Sequence, residues 1–157
     1  MALLGLYFQP SGRISRRGFW LGIIGLNLIA GAFNAWLDVT LFGHDVFDAN
    51  AGTLAKPALQ LGLLIDLIFA FPLFVLLAKR FHDRNKGAVW TVPFLAAYFA
   101  FIAAIIVGWL GIQTPPSQPG AVIALVTLAL MVWIVVELGC LRGTPGVNRY
   151  GVDPLAR

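Results

Sequence analysis

A dense run of charge lies in the middle of the chain, between two long apolar segments. Its residues of chemical interest are Arg80, His82, Asp83 and Arg84. Arginine carries a rigid fork of N–H donors that matches a phosphate or a carboxylate, and an adjacent aspartate can hold that fork in place. Histidine changes its charge near neutral pH. The run therefore predicts an anion-binding site in which Asp83 orients an arginine and His82 tunes the charge.

Two further polar motifs could complete this site, one before the first long apolar segment and one in the C-terminal tail. Their polar residues are Arg13, Arg16 and Arg17 in the first motif, and Asn148, Arg149 and Tyr150 in the second. If the intervening helices pack side by side, the three motifs converge at one end of a bundle. The predicted ligand is an anionic phospholipid headgroup or another phosphate-bearing molecule. The alternative is structural, with Asp83 tying the loops together through an arginine and the tail capping the bundle.

A second set of polar residues falls inside the apolar segments. Its members are Asn27, Asn34, Asp38, Asp66 and Glu137. The first three share one helical face with Gly31, because the four residues are spaced four, three and four apart. Polar groups that face lipid are costly, so this face is expected to point into the bundle. Two interpretations of the face stay open: polar helix packing and a path for a solute.

The two carboxylates farther along the chain each need a partner. A charged carboxyl inside a span costs on the order of 2.5–3.5 kcal/mol. Asp66 is expected either to hydrogen-bond the polar face of the first helix or to take up a proton or cation. The second possibility would make the protein a small transporter or channel component. Glu137 is expected to pair with Arg142, or with Lys79 or Arg80.

The residue types argue against an enzyme and against a metal or cofactor site. The three serines have no base at an identifiable spacing. A single cysteine, Cys140, excludes an internal disulfide and a cysteine-cluster metal site, and it is expected to be a small buried residue. A metal site at His44, Asp45 and Asp48 lacks the usual ligand spacing, so a solvated loop is expected there. Nucleic-acid binding is excluded, because neither a known binding fold nor an aromatic platform is present.

Composition defines the elements that must position these residues. The chain has 157 residues, of which 59% are hydrophobic and 11% charged, against roughly 25% charged in a soluble domain. Four apolar segments are long enough to cross a bilayer, at about residues 19–42, 59–78, 89–110 and 121–141. The sequence thus predicts an all-α polytopic membrane protein, a single domain over residues 1–157. A short N-terminal segment is expected in the interface, and residues 79–90 are expected to form a loop at the membrane surface.

The distribution of basic residues predicts the orientation. With four spans, both termini and the central loop share one side of the membrane. That side carries three Lys and Arg residues in the N-terminal segment, four in the central loop and three in the tail, whereas the other side has Lys56 alone. Basic residues are enriched in cytoplasmic segments. Both termini are therefore expected in the cytoplasm.

Three motifs in order also resemble a known family. They are residues 12–20 (GRISRRGFW), residues 80–83 (RFHD) with Trp90, and residues 143–154 (GTPGVNRYGVDP). Together they resemble the Domain of Unknown Function 805 family of small bacterial inner-membrane proteins, over nearly the whole chain. The resemblance implies an inner-membrane location and no established activity. The expected function is binding of anionic lipid or of a partner protein at the cytoplasmic arginine-rich face, and a homo-oligomer is compatible with it.

Overall fold

The computed structural model describes residues 3–43, 56–107, 109–110 and 117–156. In these ranges the helices are α1 (Leu3–Phe8), α2 (Arg16–Phe42), α3 (Lys56–Asp83), α4 (Val92–Ile106) and α5 (Gln118–Ile134). A 3-10 helix, Ala88–Thr91, precedes α4, and a π-helical segment, Val135–Cys140, continues α5. Among the described residues, four helical stretches are long and apolar enough to cross a membrane: Arg16–Leu41, Leu61–Asp83, Ala88–Ile106 and Gln118–Cys140. The predicted all-α fold with four spans is confirmed.

Local sequence explains where several of these helices begin and end. The Ser15 hydroxyl accepts the Gly18 N–H at 3.2 Å and caps the start of α2. Ser117 caps α5 in the same way by accepting the Gly120 N–H at 3.3 Å. α2 ends at Phe42 and is capped by Gly43, whose φ of 64° is left-handed and favours glycine.

The central charged run differs from the prediction of a loop over residues 79–90. α3 continues to Asp83 and the 3-10 helix begins at Ala88, so the connection is only residues 84–87. Asn85 ends the helix in a left-handed conformation with φ 58°. The Asn85 N–H donates to the His82 carbonyl at 3.0 Å, and the Lys86 N–H donates to the Phe81 carbonyl at 2.9 Å. This pair of hydrogen bonds is a Schellman motif, in which asparagine is tolerated at the left-handed position.

α3 is the central helix, since it packs against α1, α2 and α4 as well as the 3-10 helix and the π-helical segment. α2 packs mainly on α3, and α4 packs on α5. The best-buried part of the molecule is the last third of α3, where Val75, Leu76, Ala78 and Phe81 have no exposed surface. Arg80 on the same stretch is equally buried. The core therefore lies next to the polar end of the bundle, where the charged motifs meet.

The rest of the bundle exposes apolar side chains along its length, as lipid-facing helices do. Examples on three different spans are Leu28, Ile68 and Leu125, which are exposed by 69%, 69% and 66%. The loop with His44, Asp45 and Asp48 lies outside the described residues, as do residues 111–116 of the turn before α5.

Candidate functional site

A buried ion triad joins two of the three polar motifs. Asp83, at the end of α3, accepts a hydrogen bond from Arg13 of the N-terminal motif. Nε of Arg13 lies 3.0 Å from Oδ1 of Asp83. Arg80, one turn earlier on α3, donates to the other oxygen, Oδ2. The side chains of Arg13, Asp83 and Arg80 are exposed by only 1%, 4% and 0%. We call these three residues the inner cluster.

Backbone carbonyls satisfy the remaining donors of the inner cluster. Arg13 donates to the Gly146 carbonyl at 2.6 Å and to the Thr144 carbonyl at 2.5 Å, both in the tail. Arg80 donates to the carbonyls of Leu138 and Leu141, each at 2.7 Å. The carbonyls of Leu138 and Leu141 lie at the C-terminal end of the last span, where the helix dipole stabilises a cation. Every nitrogen of both guanidinium groups therefore has an oxygen partner inside the protein, and neither group has a free nitrogen for a ligand.

The tail is tied to the end of α3 by further bonds. The N–H and the hydroxyl of Thr144 both donate to the Asp83 carbonyl, at 2.8 and 2.9 Å. Asn148 donates its amide to the His82 carbonyl at 2.9 Å. The His82 ring lies 3.2 Å from the Gly12 carbonyl through Nδ1 and is stacked on Tyr150, with centroids 3.9 Å apart and 7° between the planes. His82 thus packs between the N-terminal motif and the tail, in a buried position.

Glu137 has different partners from those predicted. Its Oε1 accepts Arg84 Nε at 3.2 Å and Lys86 Nζ at 2.7 Å. The prediction of Arg142, Lys79 or Arg80 as the partner was wrong. The π-helical segment presents Glu137 to the connection after α3, whereas Arg80 turns to the carbonyls at the end of that segment and to Asp83.

Lys79 and Cys140, which also lie near this end, have environments that the sequence did not predict. Lys79 is buried and donates to the Gly5 carbonyl, which fixes α1 against α3. Cys140 is exposed, so the expectation of a buried cysteine was wrong. It is the last residue of the π-helical segment, and its carbonyl accepts Arg16 Nη1 at 3.0 Å.

In the part of the chain that the structure describes, four arginines are exposed at the polar end: Arg16, Arg17, Arg142 and Arg149. Arg149 lies apart, because it donates to the Asn85 carbonyl at 2.9 Å and covers the Tyr150 ring at 4.8 Å. The other three line two open clefts that share Ser15, Arg16 and Leu155. One cleft, of about 330 Å³, also contains Arg142. The other, of about 380 Å³, also contains Arg17 and Gly139. We call Arg16, Arg17 and Arg142 the outer arginines.

Besides Asp83 of the inner cluster, a carboxylate of the tail, Asp153, lines the cleft of about 330 Å³. It accepts the Leu155 N–H at 2.9 Å and the Gly146 N–H at 3.2 Å. These donors, with the charge of Arg13, hold the pKa of Asp153 below its usual range. Asp153 therefore stays ionised near neutral pH, with both oxygens already bonded to the tail backbone.

The polar face predicted on α2 is turned toward the other helices only in part. Asn34 and Asp38 are half-buried and Asn27 adjoins a cavity with α3 and α4, but the position of Gly31 is open. The Asn27 side chain is exposed and donates to the Ile23 carbonyl of its own helix at 2.8 Å, while Asn34 donates to the Ala30 carbonyl at 2.9 Å. Among the described residues neither amide is bonded to Asp66, so the predicted bond from Asp66 to this face was wrong. Asp66 instead lies beside the hydroxyl of Tyr98 on α4.

A small cavity of about 70 Å³ adjoins Asp66. It is lined by Asn27, Asp66 and Tyr98 together with apolar side chains of α2 and α3. Asp38 lies farther along α2 and is half-buried. In the described part of the chain, no group of three His, Cys, Asp or Glu residues lies close enough to hold a metal ion.

Two important residues of the inner cluster's surroundings were not singled out from sequence. Thr144 binds the end of α3 twice, and Gly143 lies so close to Asp83 that a Cβ there would overlap its carboxylate. Both belong to the motif over residues 143–154, but only its Asn, Arg and Tyr were selected because they are larger and polar. The glycine–threonine pair shortly after the last span is the sequence signal that could have identified these two residues.

The comparison with protein families decides the classification. The model described as "Protein of unknown function (DUF805)" matches residues 7–152. The chain belongs to this family. The match includes all residues of the inner cluster, the outer arginines and the tail motif up to Val152, so the resemblance found in the three motifs is confirmed.

Relatives of the DUF805 chain include three from Escherichia coli K12. It is 25% identical to the uncharacterized protein YiiR over 146 residues, which is 93% of this chain and 86% of YiiR. It is also 25% identical to the inner membrane proteins YhaI and YhaH over 154 residues, which is 98% of this chain and 92% or 93% of theirs. No solved structure matches the chain. The protein is thus a multi-pass membrane protein with relatives named for the inner membrane.

Proposed function

We propose that this protein binds the anionic headgroup of a phospholipid at its polar end, through the outer arginines. The observation that carries the proposal is the division among the arginines. Arg13 and Arg80 are buried with all nitrogens bonded inside the protein, whereas Arg16, Arg17 and Arg142 are exposed at adjoining clefts. Guanidinium groups with unused donors suit the phosphate oxygens of a headgroup.

The position of the clefts along the helices supports a lipid ligand. Arg16 is the first residue of α2, and Arg142 is the second residue after the end of the last span. Trp20, one turn into α2, is an aromatic residue of the type found at membrane–water interfaces. The outer arginines therefore lie where the apolar helices end, which is the depth of lipid headgroups.

The same proposal assigns the polar end to the cytoplasm. Of the ten Lys and Arg residues that the structure describes, nine belong to the segments at this end, as the positive-inside rule requires of cytoplasmic segments. A fusion of green fluorescent protein to the C-terminus should fluoresce, and an alkaline phosphatase fusion at the same point should be inactive. The reverse result would overturn the orientation.

Native mass spectrometry in mild detergent tests headgroup binding. Wild-type protein is compared with Arg16→Ala/Arg142→Ala after addition of phosphatidylglycerol or of neutral phosphatidylcholine. The wild type should retain phosphatidylglycerol in preference to phosphatidylcholine. The double variant should retain at least tenfold less phosphatidylglycerol than the wild type. Arg149→Ala is the matched control, because it removes an exposed arginine of the same end that does not line the clefts.

The thermal unfolding of the double variant should stay close to that of the wild type, since neither side chain is buried. Equal retention of phosphatidylglycerol by wild type, control and double variant would overturn the proposal. Transport through Asp66 is the weaker candidate, because the cavity beside it is small and, among the described residues, lined mostly by apolar side chains.

A further inference from the structure

We infer that the lipid bound at the outer arginines also places one acyl chain in a groove between α2 and α5, so that the ligand is a phospholipid held at both ends. The groove has a volume of about 200 Å³, and its lining is mostly aromatic and aliphatic. This inference rests on the proposed function, because it extends the same site from the headgroup into the apolar part of the bundle.

One wall of the groove continues directly from an outer arginine. Trp20, Ile23 and Asn27 line the groove, and Arg16 lies one turn before Trp20. The four residues are spaced four, three and four apart, so they form one stripe along α2. A headgroup at Arg16 therefore sits above the groove on the same helix face.

The opposite wall shows the same continuity. Met131 and Val135 line the groove, and Gly139, four residues after Val135, lines the cleft with Arg16 and Arg17. Both walls thus run from a headgroup cleft down to the groove. The floor is closed by α3 and α4, through Leu73 and Phe94 among others.

The junction between cleft and groove depends on Gly139. The Trp20 indole N–H donates to the Gly139 carbonyl at 3.3 Å, and a Cβ at Gly139 would come within 2.5 Å of the Trp20 ring. The absent side chain lets the Trp20 ring lie close against the π-helical segment. The ring then forms part of the groove wall immediately below the headgroup clefts.

The length of the stripe matches one acyl chain. At 1.5 Å per residue, the step from Arg16 to Asn27 spans roughly 16 Å. This is about half of the hydrocarbon thickness of a bilayer, which is roughly 30 Å. Cleft and groove together thus reach as deep as a chain of a single leaflet, and the positive charge at their mouth selects an anionic lipid over a neutral one.

The test separates the acyl chain from the headgroup. Binding of long-chain phosphatidylglycerol (16–18 carbons) and of dihexanoyl phosphatidylglycerol is titrated by native mass spectrometry on the full-length protein in mild detergent. Met131→Trp places a large ring in the groove. Leu128→Trp is the matched control, since Leu128 is 60% exposed on the same helix and does not line the groove.

Met131→Trp should weaken retention of the long-chain lipid at least fivefold and leave binding of the short-chain lipid unchanged, while Leu128→Trp changes neither. Equal long-chain retention in the two variants would overturn the acyl-chain site and leave the headgroup site standing. If the wild type binds neither lipid, the headgroup proposal fails and this inference fails with it. Unchanged thermal unfolding of both variants shows that the effect is local.

Discussion

The inner cluster and the outer arginines use the same side chain for opposite purposes. Arg13 and Arg80 lie in the protein interior, where a shared carboxylate and backbone carbonyls bond every guanidinium nitrogen. Arg16 and Arg142 lie only a few residues from these partners, yet they are open to clefts. The difference teaches that one arginine-rich motif can contain both buried, fully bonded side chains and exposed ones, and that burial separates the two.

The largest effect should come from removing the shared carboxylate of the inner cluster. Asp83→Ala leaves two buried guanidinium groups without their counter-ion, which should cost about 3–5 kcal/mol of unfolding free energy. Unfolding by sodium dodecyl sulfate in mixed micelles measures this loss. Asp153→Ala is the control, because Asp153 pairs only with backbone N–H groups of the tail. A loss below about 1 kcal/mol for Asp83→Ala would show that the inner cluster is not structural.

A second substitution attacks the inner cluster without touching its charges. Gly143→Ala adds a Cβ that overlaps the Asp83 carboxylate, and such overpacking should cost about 1–3 kcal/mol. Gly31→Ala is the matched control, since a Cβ there meets nothing within 4 Å and alanine favours the helix. Comparison of the two unfolding free energies checks the prediction. Equal stabilities would mean that the tail can move away from Asp83 at no cost.

The smallest predicted effect is a coupling energy that distinguishes Arg84, which is bonded to Glu137, from the exposed Arg142. In double-mutant cycles with Glu137→Ala, Arg84→Ala should show a coupling of about 0.5 kcal/mol or more, because Arg84 donates to Glu137 at 3.2 Å. Arg142→Ala should be additive with Glu137→Ala within about 0.3 kcal/mol. Coupling to Arg142 rather than to Arg84 would restore the pairing predicted from sequence and contradict the division into bonded and open arginines.

The sequence by itself determined the class of protein and the end at which the polar motifs meet. Spans could be predicted because about 20 apolar residues in a row have few alternatives to a membrane, and charge must lie outside the apolar region. For the same reason the three arginine-containing motifs had to gather at the helix ends. Helix starts such as that at Ser15 were also predictable, because a cap depends on residues adjacent in sequence.

Only the tertiary structure decided which arginines are buried and which are exposed. The partners of Arg13 and Arg80 are mostly backbone carbonyls, at Leu138, Leu141 and Thr144 among others. Every residue carries such a carbonyl, so these bonds leave no mark in the residue types of the chain. A different reason explains the wrong partners predicted for Asp66 and Glu137, whose observed partners are side chains. Their environment depends on how α3, α4 and the π-helical segment pack. The spacing of residues along one helix carries no information about that packing.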